Sequence, residues 1–225
     1  MFVLALSLYN TWNRGVFLLC KITNLLIYSR IKRKLLSFTE NIFNKIRHQE
    51  VIIMNESIKN MLERRSIRAY KKDLVPQEAL DVILEAGEYS PSGMGQQSTL
   101  MVVTQNPELV AKLSKMNADV MGSKADPFYG APTVIIVFSD SKMGTCVENG
   151  SLVMGNLMNA AHALGVDSCW IHRAREVFDS EEGKELKKQW GVPDEYIGIG
   201  HCVLGYRDCE YPTAKPRKEG FVIRV

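Results

Sequence analysis

The sequence has no C-x-x-C pair, and its five cysteines (Cys20, Cys146, Cys169, Cys202 and Cys209) are scattered and odd in number. A zinc cluster or a disulfide framework needs regular spacing, so both are excluded; scattered thiols fit a reducing, cytoplasmic setting. No H-E-x-x-H or other His/carboxylate spacing suggests a metal site. There is no uninterrupted apolar run of about 18 residues, because Asn10, Asn13, Arg14, Lys21 and Asn24 break the apolar N-terminal stretch. Stable membrane insertion is therefore not expected. No basic segment leads into an apolar run and a small-residue cleavage site. Net charge is only +3, which argues against a strong, sequence-independent nucleic-acid binder. A Walker loop, a dinucleotide G-x-G-x-x-G and a G-x-S-x-G elbow are all missing. A chain that clamps a phosphate but lacks a nucleophile, metal or acid/base pair borrows its chemistry from a cofactor.

What is present is ordinary soluble composition: 225 residues, 46% hydrophobic and 24% charged. That suffices for a sizeable core in one or two domains. Composition shifts near residue 54. Residues 1–53 have two readings. Arg30, Lys32, Arg33, Lys34, Lys45 and Arg47 alternate with apolar residues, as in a membrane-surface helix. Alternatively the segment is a translated upstream region. Gln49-Glu50-Val51 can be encoded with AGGAGG, a ribosome-binding sequence, at start-codon spacing from Met54. The second reading sets residues 1–53 aside as a leader and makes 54–225 the domain.

From Met54 onward, helices and strands interleave. Asn55 caps a helix to about Glu63, and Pro76 opens PQEALDVILEAGEY. Ser90 to Ser98 is a Gly-rich loop, followed by the strand TLMVVTQ. Asn106-Pro107 starts another helix. The wholly apolar PTVIIVFSD predicts a buried central strand. The helix from about Val147 to Leu164 is apolar on nearly every side, which buries it in a core or a subunit interface. VDSCWI is a strand, a charged helix spans about 180–190, YIGIGHCVLGY is a strand, and FVIRV is a closing strand that needs a partner. The class is α/β or α+β, and a dimer is expected.

Three features are candidate sites. Arg64, Arg65 and Arg68 surround Ser66. The cluster is either a solvated basic turn at a helix end or a phosphate site, since guanidinium forks match phosphate oxygens. SPSGMGQQS is either an ordinary turn or a loop whose Gly93 and Gly95 let the backbone approach a flat ligand, with Ser92 and Gln97 as hydrogen-bonding groups. Lys215-Pro216-Arg217-Lys218 is a surface loop or the far half of a phosphate clamp. His162 reads as a satisfied core residue, and His201 lies in a strand.

Together these motifs resemble the nitroreductase family of flavin enzymes. The matches are RRSIRAY with Pro76, Ala79 and Leu80; SPSGMGQQ; GSLVMGNLMNAAHALGVDSCWI; and Lys215-x-Arg217. They span about Ile58 to Val225. The resemblance implies an α+β, three-layer fold with a mixed or antiparallel central sheet flanked by helices. It also implies an intertwined homodimer with FMN at the subunit interface. The FMN phosphate would be held by Arg64, Ser66, Lys215 and Arg217, with Arg65 and Arg68 toward the ribityl chain and the pyrimidine end of the ring. Pro91, Ser92, Gly93, Met94 and Gln97 would line the flavin from the other subunit. Ile171, His172 and Arg173 match the segment whose backbone amides face flavin N5. Gly95, Gln96 and Ser98 depart from the usual loop residues, and an insertion found in larger members is missing before Cys146.

The implied activity is ping-pong. NADH or NADPH reduces the flavin and leaves, and a nitroaromatic or quinone-like acceptor then binds over the same face. No catalytic side chain is demanded, although Arg68 near N1 would favour the reduced flavin. Two rival readings are a non-catalytic flavin-binding or carrier protein, and a flavin dehydrogenase or dehalogenase on the same fold.

Overall fold

A computed structural model describes residues 34, 36–40 and 55–225. The readings made for residues 1–53 otherwise lie outside the described residues; residues 36–40 are helical. Residues 59–225 form one compact unit. The elements are α1 (Glu56–Glu63), α2 (Gln77–Glu88), β1 (Thr99–Thr104), α3 (Pro107–Met121), β2 (Thr133–Asp140), α4 (Cys146–Ala163), β3 (Asp167–Ile171), α5 (Ala174–Asp179), α6 (Glu181–Gln189) and β4 (Tyr196–Gly205).

Local chemistry sets the boundaries. The Asn55 carboxamide oxygen accepts from the Ser57 amide at 2.9 Å. Asn106 caps α3 in the same way, accepting from Glu108 and Leu109 at 2.9 and 3.0 Å. Each bond satisfies a donor that the first helical turn leaves without a partner. Ser180 does this for α6 through the Gly183 amide. Lys187 is buried, and its ammonium donates to the carbonyls of Asp194 and Tyr196, tying α6 to the entry of β4.

The four strands form one sheet in the order β1-β2-β4-β3, and every pairing is antiparallel. β2 is buried on both faces, as a wholly apolar strand must be. Its residues divide between two cores. Val134, Ile136 and Phe138 pack with α3, α5 and α6. Ile135 and Val137 pack with α2 and α4. The result is three layers, helices on both faces of a sheet. Ile199 is an extra residue where β4 faces Val137 and Phe138, so the strand bulges there. Gly200 beside it leaves room for the Trp170 indole, which a Cβ would strike.

Three expectations change. The closing strand FVIRV is not a strand here: among the described residues nothing pairs with residues 221–225, which are exposed, since a strand exists only where a neighbour supplies its hydrogen bonds. α4 buries the stripe through Val153, Met154, Leu157 and Ala161, but Leu152 on the other side remains 45% exposed. His162 is half-buried and stacks on Tyr211 with ring centroids 6.2 Å apart; it is not a core residue.

His201 is the core histidine. It is fully buried against the rings of Phe128 and Phe178. Burial pushes its pKa down from 6.5 to about 3. Between these values the unfolded chain binds a proton that the folded chain does not, so stability rises with pH through this window and is complete above about 6.5. The stability read from urea unfolding should therefore fall from pH 6.5 toward pH 4, by at most about 1.4 kcal/mol per pH unit from this group. His201→Gln should show a flatter pH profile; equal slopes would contradict the assignment.

Candidate active site

The arginine segment is held along the edge of the sheet. Ile67 is fully buried, and its amide donates to the Ser168 carbonyl at 3.1 Å; Ser66 and Ser168 form a parallel bridge beside β3. Further along, the Lys71 amide donates to the Tyr206 carbonyl and the Asp208 amide to the Ala69 carbonyl. The buried side chain of Ile67 thus anchors a segment whose flanking residues are polar.

The arginines differ in their commitments. Arg65 Nη1 donates to the carbonyls of Leu62 and Arg64, both at 2.7 Å, closing the C-terminal end of α1. Arg68 is exposed. Arg64 Nη1 is buried and has no hydrogen-bond partner among the described residues, and neither has Arg65 Nε. Among the described residues no carboxylate pairs with any of the three. The nearby buried carboxylate of Asp167 is already taken, because the Arg207 amide and guanidinium donate to its Oδ2 at 3.0 and 3.2 Å. Buried guanidinium nitrogens without partners are costly, so the segment is chemically matched to an outside anion. Cys169 of β3 belongs to the same neighbourhood. Burial pushes its thiol up, while Arg68, a hydrogen bond with Ser66 and Arg64 oppose the shift.

The tail approaches this segment. Tyr211 Oη donates to the Glu63 carbonyl at 2.8 Å, and the Arg207 guanidinium lies 5.1 Å from the Tyr211 ring centre. Residue 211 therefore sits next to the start of the arginine segment. Lys215 and Arg217 lie beyond it, exposed, with Arg217 Nε donating to the Lys215 carbonyl at 3.2 Å. Among the described residues no hydrogen bond joins them to Arg64 or Ser66.

The Gly-rich loop is at the other edge. Ser98 leads into β1, and β1 and β3 are the two edges of the sheet. With strands about 4.8 Å apart, three spacings separate them by roughly 14 Å. One chain therefore does not bring Pro91, Ser92, Gly93, Met94 and Gln97 to the arginines. A cavity of about 430 Å³ opens on the loop, lined by Ser90, Pro91, Ser92, Gln97, Thr99 and Asn149 among others. A larger hollow of about 880 Å³ lies between α3 and the segment that follows it, and none of the candidate residues lines it.

The loop is strained and tethered. Among the described residues, four that are not glycine have positive φ, and three of these are Met94 (54°), Gln97 (48°) and Arg173 (78°). Such conformations persist where surrounding contacts impose them, and they cluster at functional sites. Here Ser92 Oγ accepts from the Gln97 amide at 2.9 Å. Buried Asn149 of α4 accepts from the Gly93 amide at 2.9 Å and donates to Ser98 Oγ at 3.0 Å. Sequence reasoning passed over Asn149. The available signal was a polar residue in register with the buried stripe of α4. Ile171 ends β3, and His172 and Arg173 form the turn into α5.

Fold and site together define an α+β protein with an anion-ready arginine segment on one sheet edge and a strained, Gly-rich loop on the other. The family model described as Nitroreductase family matches residues 61–206. The chain belongs to the nitroreductase family. It is 30% identical over 178 residues to a protein of Methanothermobacter thermautotrophicus named Putative NADH dehydrogenase/NAD(P)H nitroreductase, covering 75% of this chain and 83% of the relative. It is 40% identical over 183 residues to a Bacillus subtilis protein named FMN reductase (NAD(P)H), covering 73% and 70%. A crystal structure of a Bacteroides fragilis nitroreductase with bound FMN superposes with a TM-score of 0.71 at 28% identity, covering 76% of this chain and all of that one. Among the described residues no helix is long and apolar enough to cross a membrane, and no cluster of His, Cys, Asp or Glu is suited to a metal.

Asn149→Leu should free the loop. It leaves the Gly93 amide and the Ser98 hydroxyl unpaired, at about 1–3 kcal/mol. Hydrogen exchange across residues 91–98 should speed up by about tenfold or more; unchanged protection would contradict the tether.

Proposed function

We propose that this chain is an FMN-dependent oxidoreductase that takes electrons from NADH or NADPH and passes them to flat nitroaromatic or quinone-like acceptors, the two substrates using one site in turn. The observation that carries this is the unpaired, buried guanidinium nitrogen of Arg64 beside Ser66, in a segment with no carboxylate partner. A phosphate fits that donor set in charge and geometry. Arg64 and Ser66, joined by Lys215 and Arg217 of the tail, would hold the FMN phosphate. Arg65 Nε and Arg68 would face the ribityl chain and the ring. The segment Ile171, His172 and Arg173 would present its backbone to the flavin. FMN, when bound, supplies the hydride-accepting and hydride-donating chemistry; the protein binds, orients and sets the charge around it.

A homodimer completes the site in this reading. Pro91, Ser92, Gly93, Met94 and Gln97 sit on the sheet edge away from the arginines, and a second copy would bring them to the cofactor. Three apolar surfaces support that assembly: Leu152 on α4, and Phe221 and Ile223 in the tail, which are 78% and 85% exposed. The flavin-binding domain is proposed to comprise residues 54–225 and to work in the cytoplasm, with residues 1–53 outside it.

The test is optical. Purified protein, or apoprotein given FMN, should be yellow and should bleach when NADH or NADPH is added without oxygen. A yellow protein that does not bleach would make this a flavin carrier. A colourless protein that cannot take up FMN would end the proposal.

A further inference from the structure

Asn117 and His201 form a buried polar pair with no place in the site described so far. Asn117, on α3, and His201, on β4, are both fully buried. Asn117 Nδ2 donates to the His172 carbonyl at 2.7 Å and lies 3.5 Å from His201 Nδ1. The carbonyl accepts only, so it fixes which end of the amide is nitrogen. His201 hydrogen-bonds the backbone of Ile171, its partner across the β3–β4 ladder, so the imidazole is tied to the same end of β3. His201 stays neutral, consistent with its lowered pKa. Asn117 Oδ1 and His201 Nε2 have no partners among the described residues. An apolar pair would fill this core at less cost. Outside itself the polar pair reaches the backbone at the end of β3, Asn117 at the carbonyl of residue 172 and His201 at Ile171.

That contact sets the direction of a peptide. In a planar trans peptide the C=O and the next N–H point opposite ways. With the His172 carbonyl pinned toward α3, the Arg173 N–H is turned away from α3, and it has no acceptor among the described residues. The positive φ of Arg173 belongs to the same turn.

We propose that Asn117, steadied by His201, is a positioning residue that locks the His172–Arg173 peptide so that the Arg173 N–H is presented to the cofactor. This rests on the flavin-site reading of residues 171–173. A fixed N–H dipole favours the electron-richer state of a ligand it faces. It therefore raises the preference of the site for reduced over oxidised flavin.

The test compares Asn117→Leu with Leu113→Ala, which loosens the same helix but keeps the bond to the residue 172 carbonyl. In the apoprotein, the NMR amide resonance of Arg173 should move in Asn117→Leu and stay in place in Leu113→Ala. With FMN, Asn117→Leu should lose about tenfold in the ratio of reduced to oxidised flavin affinity, which is about 30 mV for a two-electron couple. Oxidised FMN should bind within about threefold of wild type. An unmoved resonance, or equal shifts in both variants, would overturn the positioning role. A moved resonance with an unchanged potential would overturn the link to the cofactor. Wild-type hydrogen exchange is a check that needs no variant: the Arg173 amide should exchange freely in apoprotein and slow at least tenfold with FMN, and protection already present in apoprotein would refute the proposal. Failure of wild type to take up FMN would count against the function reading alone.

Discussion

Everything proposed for this protein depends on a guanidinium with nothing to bind. Arg64 follows a helix end and precedes a fully buried isoleucine, so the backbone has little freedom to carry it into solvent. The neighbouring carboxylate, Asp167, is committed to Arg207. Arg65 spends its hydrogen bonds on carbonyls at the end of α1. Burying part of a cation without a counter-charge costs free energy in the empty protein, and a bound dianion offsets that cost only when it is present.

The second constraint is the width of the sheet. The arginine segment is built onto β3 and the Gly-rich loop onto β1, with β2 and β4 between them. Neither edge can reach the other by local motion. The strained φ angles lie at both ends, Met94 and Gln97 on one side and Arg173 on the other, and next to them Asn149 binds the Gly93 amide and Asn117 the His172 carbonyl. Two asparagines do matching work: Asn149 on α4 grips the loop and Asn117 on α3 grips the turn. The helices above and below the sheet thus shape the two halves of one proposed site.

Much of this was legible from residue types. Asn55 and Asn106 cap helices because a short carboxamide reaches the free amides of the first turn. The run PTVIIVFSD had to be a doubly buried strand. The arginine, serine and glycine positions stood out because their chemistry is local. Asn149, Asn117 and Tyr211 did not, because their roles lie in contacts 56, 55 and 148 residues away. The short helix α5 was also missed, since six residues after a turn carry too little periodicity to detect. The tail FVIRV has a strand's composition, but its pairing depends on a neighbour that one chain does not supply.

The most direct measurement of the central claim is calorimetric titration of apoprotein with FMN and with riboflavin, in wild type and in Arg64→Ala. Arg64→Ala should weaken FMN binding by roughly tenfold to a hundredfold, the worth of one charge-assisted hydrogen bond at about 1.5–3 kcal/mol, and leave riboflavin, which has no phosphate, nearly unchanged. An equal loss for both ligands would mean that Arg64 supports the fold and does not bind the phosphate.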